Sequence, residues 1–293
     1  MRDEKISQHY VPRLHLRRFS TKPDGDSVYC FDKQNKRSFE TSVGNTATEN
    51  FFYDPKTKLE PEMEEFLEDL EGRVTNPYDK MVENESLSVL SEDDKEAVAE
   101  FLGVQMIRTR GERSSIQGII EGIEEQVGRE NMAEELKKEI DETKKEDTLR
   151  EMQNDLIKEA GGQFGDMLMK LDWHLFLNDS DLPYYTSDFP VVRHNELDFG
   201  PYGELGLMNR GVQVYFPLTP WVMLAIIETS AYPDMPEVWE KDNRDNVVFQ
   251  RDLQVTRSNR FVYSCKDDFD QAEERIEDSP IVAEPLSERQ NVE

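Results

Sequence analysis

The chain is short of cysteine, of basic side chains and of long apolar runs, and each shortage removes a class of protein. Its two cysteines, Cys30 and Cys265, stand far apart in separate strand-like runs. That is neither a disulfide framework nor a CxxC metal pair, so both are expected as buried free thiols in a reducing cytoplasm. No window approaches the roughly 18 apolar residues of a membrane span. The start, Met1-Arg2-Asp3-Glu4-Lys5, lacks the apolar stretch of an export signal. The expectation is a soluble, cytoplasmic protein with no membrane partner.

Basic residues number 35 against 63 acidic ones over 293 residues, a net charge of −28. Such a field repels nucleic acid and anionic membranes at long range, and only a local basic patch would reverse it. The acidic excess reads either as a solubility surface or as adaptation to high intracellular salt, and the halophilic reading is preferred. Apolar residues make up only 36%, yet 15 Phe, 10 Tyr and 3 Trp can fill a core. Strong catalytic motifs are absent too: no P-loop, no GxGxxG after a strand, no HExxH, no GxSxG and no zinc-spaced Cys/His set. The glycines of Gly200-Pro201-Tyr202-Gly203-Glu204-Leu205-Gly206 have the wrong spacing to cradle a phosphate.

What is present is a punctuated series of elements. Pro12 is placed to open a short helix carrying Val11, Leu14, Leu16 and Phe19 on an apolar face. Ser27 to Phe31 and Arg37 to Val43 alternate as a hairpin, and Thr48 to Tyr53 reads as extended. A helix is predicted from Pro61 to about Val74, and a second from a capping-box-like Ser91 through Arg110. Three further helical patterns fill 112–171, the third interrupted at Gly161-Gly162. Their apolar faces are Ile116/Ile119/Ile120/Ile123/Val127, Met132/Leu136/Ile140 and Leu149/Met152/Leu156/Ala160/Phe164/Leu168/Leu171. Strands return at 173–177, 184–186, 190–192, 212–216, 222–227 and 260–264, with a loop at 195–211 and helices at 243–258 and 269–276.

The fold class implied is α+β: an antiparallel sheet from the N-terminal hairpin and the C-terminal strands, packed on helices, with a helical insertion. Residues 1–111 and 172–278 form a single α+β domain in this reading, because strands on both sides need a shared core. Residues 112–171 are the insertion and 279–293 a flexible acidic tail. Residues 121–159 hold 14 acidic and 7 basic side chains, a solvated hairpin or an arm that binds a protein partner.

Candidate chemistry rests on scattered polar residues. His9 precedes the proline-started helix and, with a side chain that titrates near neutrality, is a candidate acid/base. His15 on that helix is expected to pack, and His174 to face solvent. Glu64 and Glu71 are seven residues apart on one helix face and could hold a hard divalent cation, the candidate cofactor. Gln105 and Arg108 flank an apolar stripe, where an arginine needs an acidic partner or an anionic ligand. Asp188, after Ser187 at a strand end before Phe189-Pro190, either caps a turn or points into a cleft. The assignments are therefore His9 and Asp188 as catalytic, Arg108, Gln105 and Ser187 as substrate-binding, and Glu64 and Glu71 as metal-binding.

Several of these stretches together resemble the uncharacterised family called domain of unknown function 4238. The matching residues are Gln8-His9-Tyr10-Val11-Pro12 with Leu16 and Phe19, Asn50-Phe51-Phe52-Tyr53, and Glu64, Leu67 and Leu70-Glu71-Gly72. Further matches are Gln105-Met106-Ile107-Arg108-Thr109, Thr186-Ser187-Asp188 with Pro190, Pro217-Leu218-Thr219-Pro220 and Arg260-Phe261-Val262-Tyr263-Ser264. The resemblance implies a family and no activity. Two functions stand open. One is a metal-dependent hydrolase or nuclease acting on phosphoesters. The other is a non-catalytic binding or interaction module whose polar residues form a structural network.

Overall fold

The computed structural model describes residues 7–23, 25–54, 62–197, 205–232 and 244–289, and the backbone alone at 238–240. Strand β1 (Ser7–His9) leads into the short helix α1 (Arg13–Arg17), whose N-cap is Pro12. The alternating stretches fold as the expected hairpin of β2 (Ser27–Asp32) and β3 (Arg37–Ser42). Strand β4 (Thr48–Asn50) pairs antiparallel with β1. The aromatic run does not stay extended. Phe51 adopts φ 57°, and this left-handed residue turns the chain at once, so that Phe52 and Tyr53 point into the core.

Helix α2 (Glu62–Asn84) runs ten residues beyond its predicted end at Val74. Pro77, which reads as a stop, is carried inside it, because the buried stripe Met63, Leu67, Leu70, Val74, Tyr78 and Met81 continues on both sides. Its first residues in the prediction, up to Pro61, lie outside the described residues. Helix α3 (Glu92–Ile107) begins on a true capping box, Ser91 with Asp94. It stops before the expected Arg110, since Thr109 caps a new helix, α4 (Arg110–Val127), through Glu112 N–H.

Helices α5 (Glu134–Thr143) and α6 (Glu146–Leu168) complete the helical region. Gly161 does not interrupt α6. A Cβ at Gly103 of α3 would meet the Gly161 carbonyl oxygen at 2.3 Å, and one at Gly165 would meet Glu100 backbone at 2.9 Å. The glycines let two helix backbones touch, and that contact rotates the buried face of α6 to Leu149, Gln153, Ile157, Gly161, Gly165 and Leu168. Leu156, expected inside, is largely exposed, as are Ile119, Ile123 and Val127 of α4.

Strands β5 (Asp172–Leu177), β6 (Thr186–Ser187), β7 (Val192–His194), β8 (Gln213–Thr219), β9 (Val222–Ile227) and β10 (Val238–Glu240) follow. After them come α7 (Arg244–Arg257), β11 (Phe261–Ser264), α8 (Asp270–Asp278) and a last turn, α9 (Leu286–Arg289). One sheet has the order β3-β2-β11-β6, so hairpin and C-terminal strand share a ladder as expected. The other has the order β10-β5-β9-β8-β7, antiparallel except that β10 joins β5 in parallel. The class is α+β. The main core draws Val28 and Tyr263 from the first sheet, Leu175, Phe216 and Leu224 from the second, and Leu70, Phe101 and Ile157 from the helices.

Two further expectations change. His174 is 4% exposed inside β5 rather than solvent-facing. The segment read as a flexible tail is folded as far as Arg289, with Val282 buried and the Arg289 guanidinium on four backbone carbonyls. Residues 290–293, and 198–204 of the expected loop, lie outside the described residues. Among the described residues no helix is long and apolar enough to cross a membrane.

Candidate functional site

The stretches singled out in the sequence converge at two corners. At the first, the turn after β4 is gripped by side chains from three directions. Gln8 Oε1 accepts from the backbone N–H groups of Tyr53 and Asp54 at 2.8 and 3.2 Å, while Gln8 Nε2 donates to Asp54 and Glu64. Arg113 Nη2 donates to the Phe52 carbonyl and Asn154 Nδ2 to that of Tyr53. A turn held in the left-handed region at Phe51 needs such support, since the backbone strain is of order 1–2 kcal/mol.

Arg108 sits beneath this turn with 1% exposure. Its Nη2 donates to the His9 carbonyl and to Glu71 Oε1, both at 2.9 Å. The Tyr53 hydroxyl lies 3.3 Å from the His9 carbonyl and 3.2 Å from that of Arg108. Burial alone disfavours the Arg108 cation, but Tyr53 and the Glu71 carboxylate outweigh it and hold its pKa above the ordinary value. One turn earlier, Gln105 Nε2 donates to the Tyr10 carbonyl at 3.1 Å. Both α3 side chains thus read the backbone of the His9-Tyr10 dipeptide. Arg108 Nε and Nη1, Gln105 Oε1 and Asp54 Oδ1 are buried with no hydrogen-bond partner.

His9 contributes chiefly through its backbone. Its half-buried ring has Nε2 3.4 Å from the Val43 carbonyl. Burial, reinforced by the nearby Arg13 and Arg108 charges, lowers its pKa, which favours a neutral ring near pH 7.

The second corner holds Asp188 and Ser187. Asp188 Oδ1 accepts from Asn259 N–H at 2.8 Å, and Oδ2 from Arg260 and Phe261 N–H at 2.8 and 2.9 Å. The carboxylate therefore caps the turn between α7 and β11. Burial pushes its pKa up, opposed by the Lys33 ammonium and these three N–H groups. Lys33 is itself buried and donates to the Val255 and Ser258 carbonyls at 2.8 and 2.7 Å. Ser187 Oγ donates to Gln254 Oε1 at 2.7 Å, and Gln254 Nε2 to the Pro190 carbonyl at 3.0 Å.

Of the seven candidate residues, His9, Glu71, Gln105 and Arg108 thus share one backbone stretch, with Glu64 joined to it through Gln8. Asp188 and Ser187 belong elsewhere: among the described residues no hydrogen bond or ion pair links them to that group. Glu64 and Glu71 do share a helix, but Glu71 accepts from Arg108 and Glu64 from Gln8. Among the described residues no three His, Cys, Asp or Glu side chains are placed to hold a metal ion. A cavity of about 610 Å³ opens at Lys95, Trp173, His174 and Tyr232, and none of the seven lines it. Burial pushes the Cys30 thiol up, and that of Cys265 up to about 11, so the thiolate forms are disfavoured at neutral pH.

Sequence reasoning passed over Arg113 and Gln153, which tie the first corner together. Arg113 Nε donates to Gln153 Oε1 at 2.8 Å, and Gln153 Nε2 donates to the Ile107 and Thr109 carbonyls at 2.7 and 2.8 Å. That bridges the break between α3 and α4. The available signal was Gln153 itself, four residues from both Leu149 and Ile157 on what proves to be the buried stripe.

An α+β scaffold whose motif residues bind its own backbone is the class that fold and site define. The family model described as "Protein of unknown function (DUF4238)" matches residues 7–268, and the chain belongs to that family. No curated protein and no solved structure matches it.

Proposed function

We propose that the chain is a non-catalytic binding module whose motif residues form its internal frame. One observation carries this reading: Glu71 and Asp188, the carboxylates selected for a catalytic set, are spent on Arg108 and on backbone N–H groups. Glu71 is paired with Arg108 at 2.9 Å, and Asp188 accepts three backbone N–H groups. A catalytic carboxylate has to be reachable by its substrate, and Asp188 is 1% exposed with both oxygens turned to backbone amides.

The test is Arg108→Lys. The lysine ammonium ends short of the position of Arg108 Nη2, which donates to both His9 O and Glu71, and leaves that carboxylate and carbonyl without their donor, so the melting temperature falls, with a loss of about 2–4 kcal/mol. Purified wild-type protein is assayed in parallel on a phosphodiester and a phosphomonoester with Mg²⁺ or Mn²⁺, and no turnover is expected. Turnover that vanishes in Arg108→Lys while the melting temperature holds would overturn the reading in favour of a hydrolase.

A further inference from the structure

In a chain with 28 excess negative charges, one corner gathers cations. Arg257 lies in the last turn of α7, Arg289 in α9 and Arg193 in β7. Arg289 clamps the backbone on both sides of Arg257: Nη1 donates to the Thr256 carbonyl at 2.5 Å, and Nη2 reaches those of Ser258 and Asn259 at 2.9 and 3.4 Å. The start of α4 closes the corner. A Cβ on Gly111 would stand 2.9 Å from Leu286 and Phe189 and 3.3 Å from Asn259.

The three arginines are not treated alike. Arg289 is bonded to carbonyls, and Arg193 Nη1 donates to the Leu205 carbonyl at 3.0 Å. Arg257 makes no hydrogen bond or ion pair among the described residues, and its Nε is buried without a partner. It is half-buried, so part of the residue reaches solvent. After burial, the Arg257 charge is among the causes that lower the pKa of Arg193, and it also acts to lower that of Arg289. The acids facing the group are Glu112 toward Arg193, and Asp188 and Glu284 toward Arg289, with Asp188 already committed to three amides. An unpaired guanidinium held against like charges, in so acidic a protein, is a fork lacking its anion.

We propose that Arg257, flanked by Arg193 and Arg289, binds an oxyanion carried by a phosphoryl or carboxylate group. The dipole at the C-terminal end of α7 suits Arg257 as a cation but supplies no bidentate acceptor, so the fork stays open for the ligand. This site gives the binding module its ligand and rests on that reading for its biological meaning. Its evidence is separate from the Arg108 corner.

The experiment titrates inorganic phosphate, and separately citrate, against chloride at matched ionic strength, reading melting temperature and binding heat for wild type and Arg257→Gln. Phosphate is expected to raise the wild-type melting temperature progressively, as any ligand of the folded state does. Arg257→Gln is expected to bind at least about tenfold more weakly. A shift with citrate only, lost in the variant, supports the site and assigns a carboxylate. Without added anion, Arg257→Gln should melt at or above the wild-type temperature, because it relieves repulsion and breaks no bond. No anion-specific shift in wild type, or an equal shift in Arg257→Gln, overturns the proposal. Neither result touches the Arg108 frame, whose failure is read as hydrolysis.

Discussion

Arg113 and Arg257 are both arginines at helix junctions, and the fold uses them in opposite ways. Arg113 is 1% exposed and wholly engaged. Nε goes to Gln153, Nη1 to Glu146, Nη2 to the Phe52 carbonyl, and its guanidinium lies 3.8 Å over the Phe52 ring. Arg257 is half-open and engaged by nothing among the described residues. A side chain whose every nitrogen is bonded is part of the frame. One kept charged, reachable and unbonded costs the fold stability, and a ligand is the simplest return for that cost.

The largest expected effect breaks the contrast directly. Arg113→Met keeps apolar bulk over Phe52 but leaves the Phe52 carbonyl and Gln153 Oε1 unsatisfied in the interior. Each orphaned acceptor costs about 1–3 kcal/mol, so a loss of roughly 3–4 kcal/mol is expected by urea unfolding. Arg257→Gln, measured side by side, should move the midpoint by almost nothing. Equal losses at the two positions would show that Arg257 is as much a part of the frame as Arg113.

His15 extends the comparison to a base that is both buried and fully bonded. The Tyr78 hydroxyl donates to the Leu218 carbonyl at 2.7 Å, so toward His15 Nδ1, at 2.9 Å, it can only accept. The ring proton therefore sits on Nδ1, and Nε2 accepts from Thr186 Oγ1 at 2.8 Å. Burial, helped by Arg18, lowers the His15 pKa from 6.5 to about 3. With the folded pKa below the unfolded one, the unfolded chain takes up the proton first. The contribution is whole above pH 6.5 and drains away as pH falls toward 3. At pH 4 the loss should be about 3 kcal/mol. The many carboxylates also titrate below pH 5, so the quantity to read is the difference in pH slope between wild type and His15→Gln. Parallel slopes for the two proteins would show that His15 is not held neutral.

How much of this was legible follows from where each signal resides. The run Val222 to Ile227 is unbroken and apolar, and β9 begins and ends there. The hairpin and the Ser91 cap were equally plain, because their causes are local. Pro77 and Gly161 misled for the opposite reason. Each is a helix breaker by propensity, overridden by packing against distant residues that periodicity cannot reveal. The polar sites divide in the same way. His9, Glu71, Gln105 and Arg108 stand out as polar residues on apolar elements, and they do meet. Asp188 stood out on the same grounds, yet its partners at 259–261 lie some 70 residues away in sequence. Arg257 gave no signal at all, since an arginine in the last turn of a helix is what the dipole favours.

A small effect is also expected at His9, a motif residue whose side chain does little in the fold. Its carbonyl is fixed by Arg108 Nη2 at 2.9 Å, and any residue supplies a carbonyl. The half-buried ring offers weak interactions with the backbone of Val43, whose carbonyl is 3.4 Å away and near the limit for a hydrogen bond, and of Gly44. His9→Ala should therefore cost under about 1 kcal/mol, far less than Arg113→Met. His9 then stands with Arg257 among the side chains that the frame leaves unspent, and that makes it the sharpest check on the binding-module reading. If His9→Ala is as stable as wild type and the protein hydrolyses nothing, the motif histidine serves the frame through its backbone alone. If wild type hydrolyses a phosphoester and His9→Ala loses that activity at unchanged stability, the ring is a catalytic group and the frame around Arg108 is the floor of an active site.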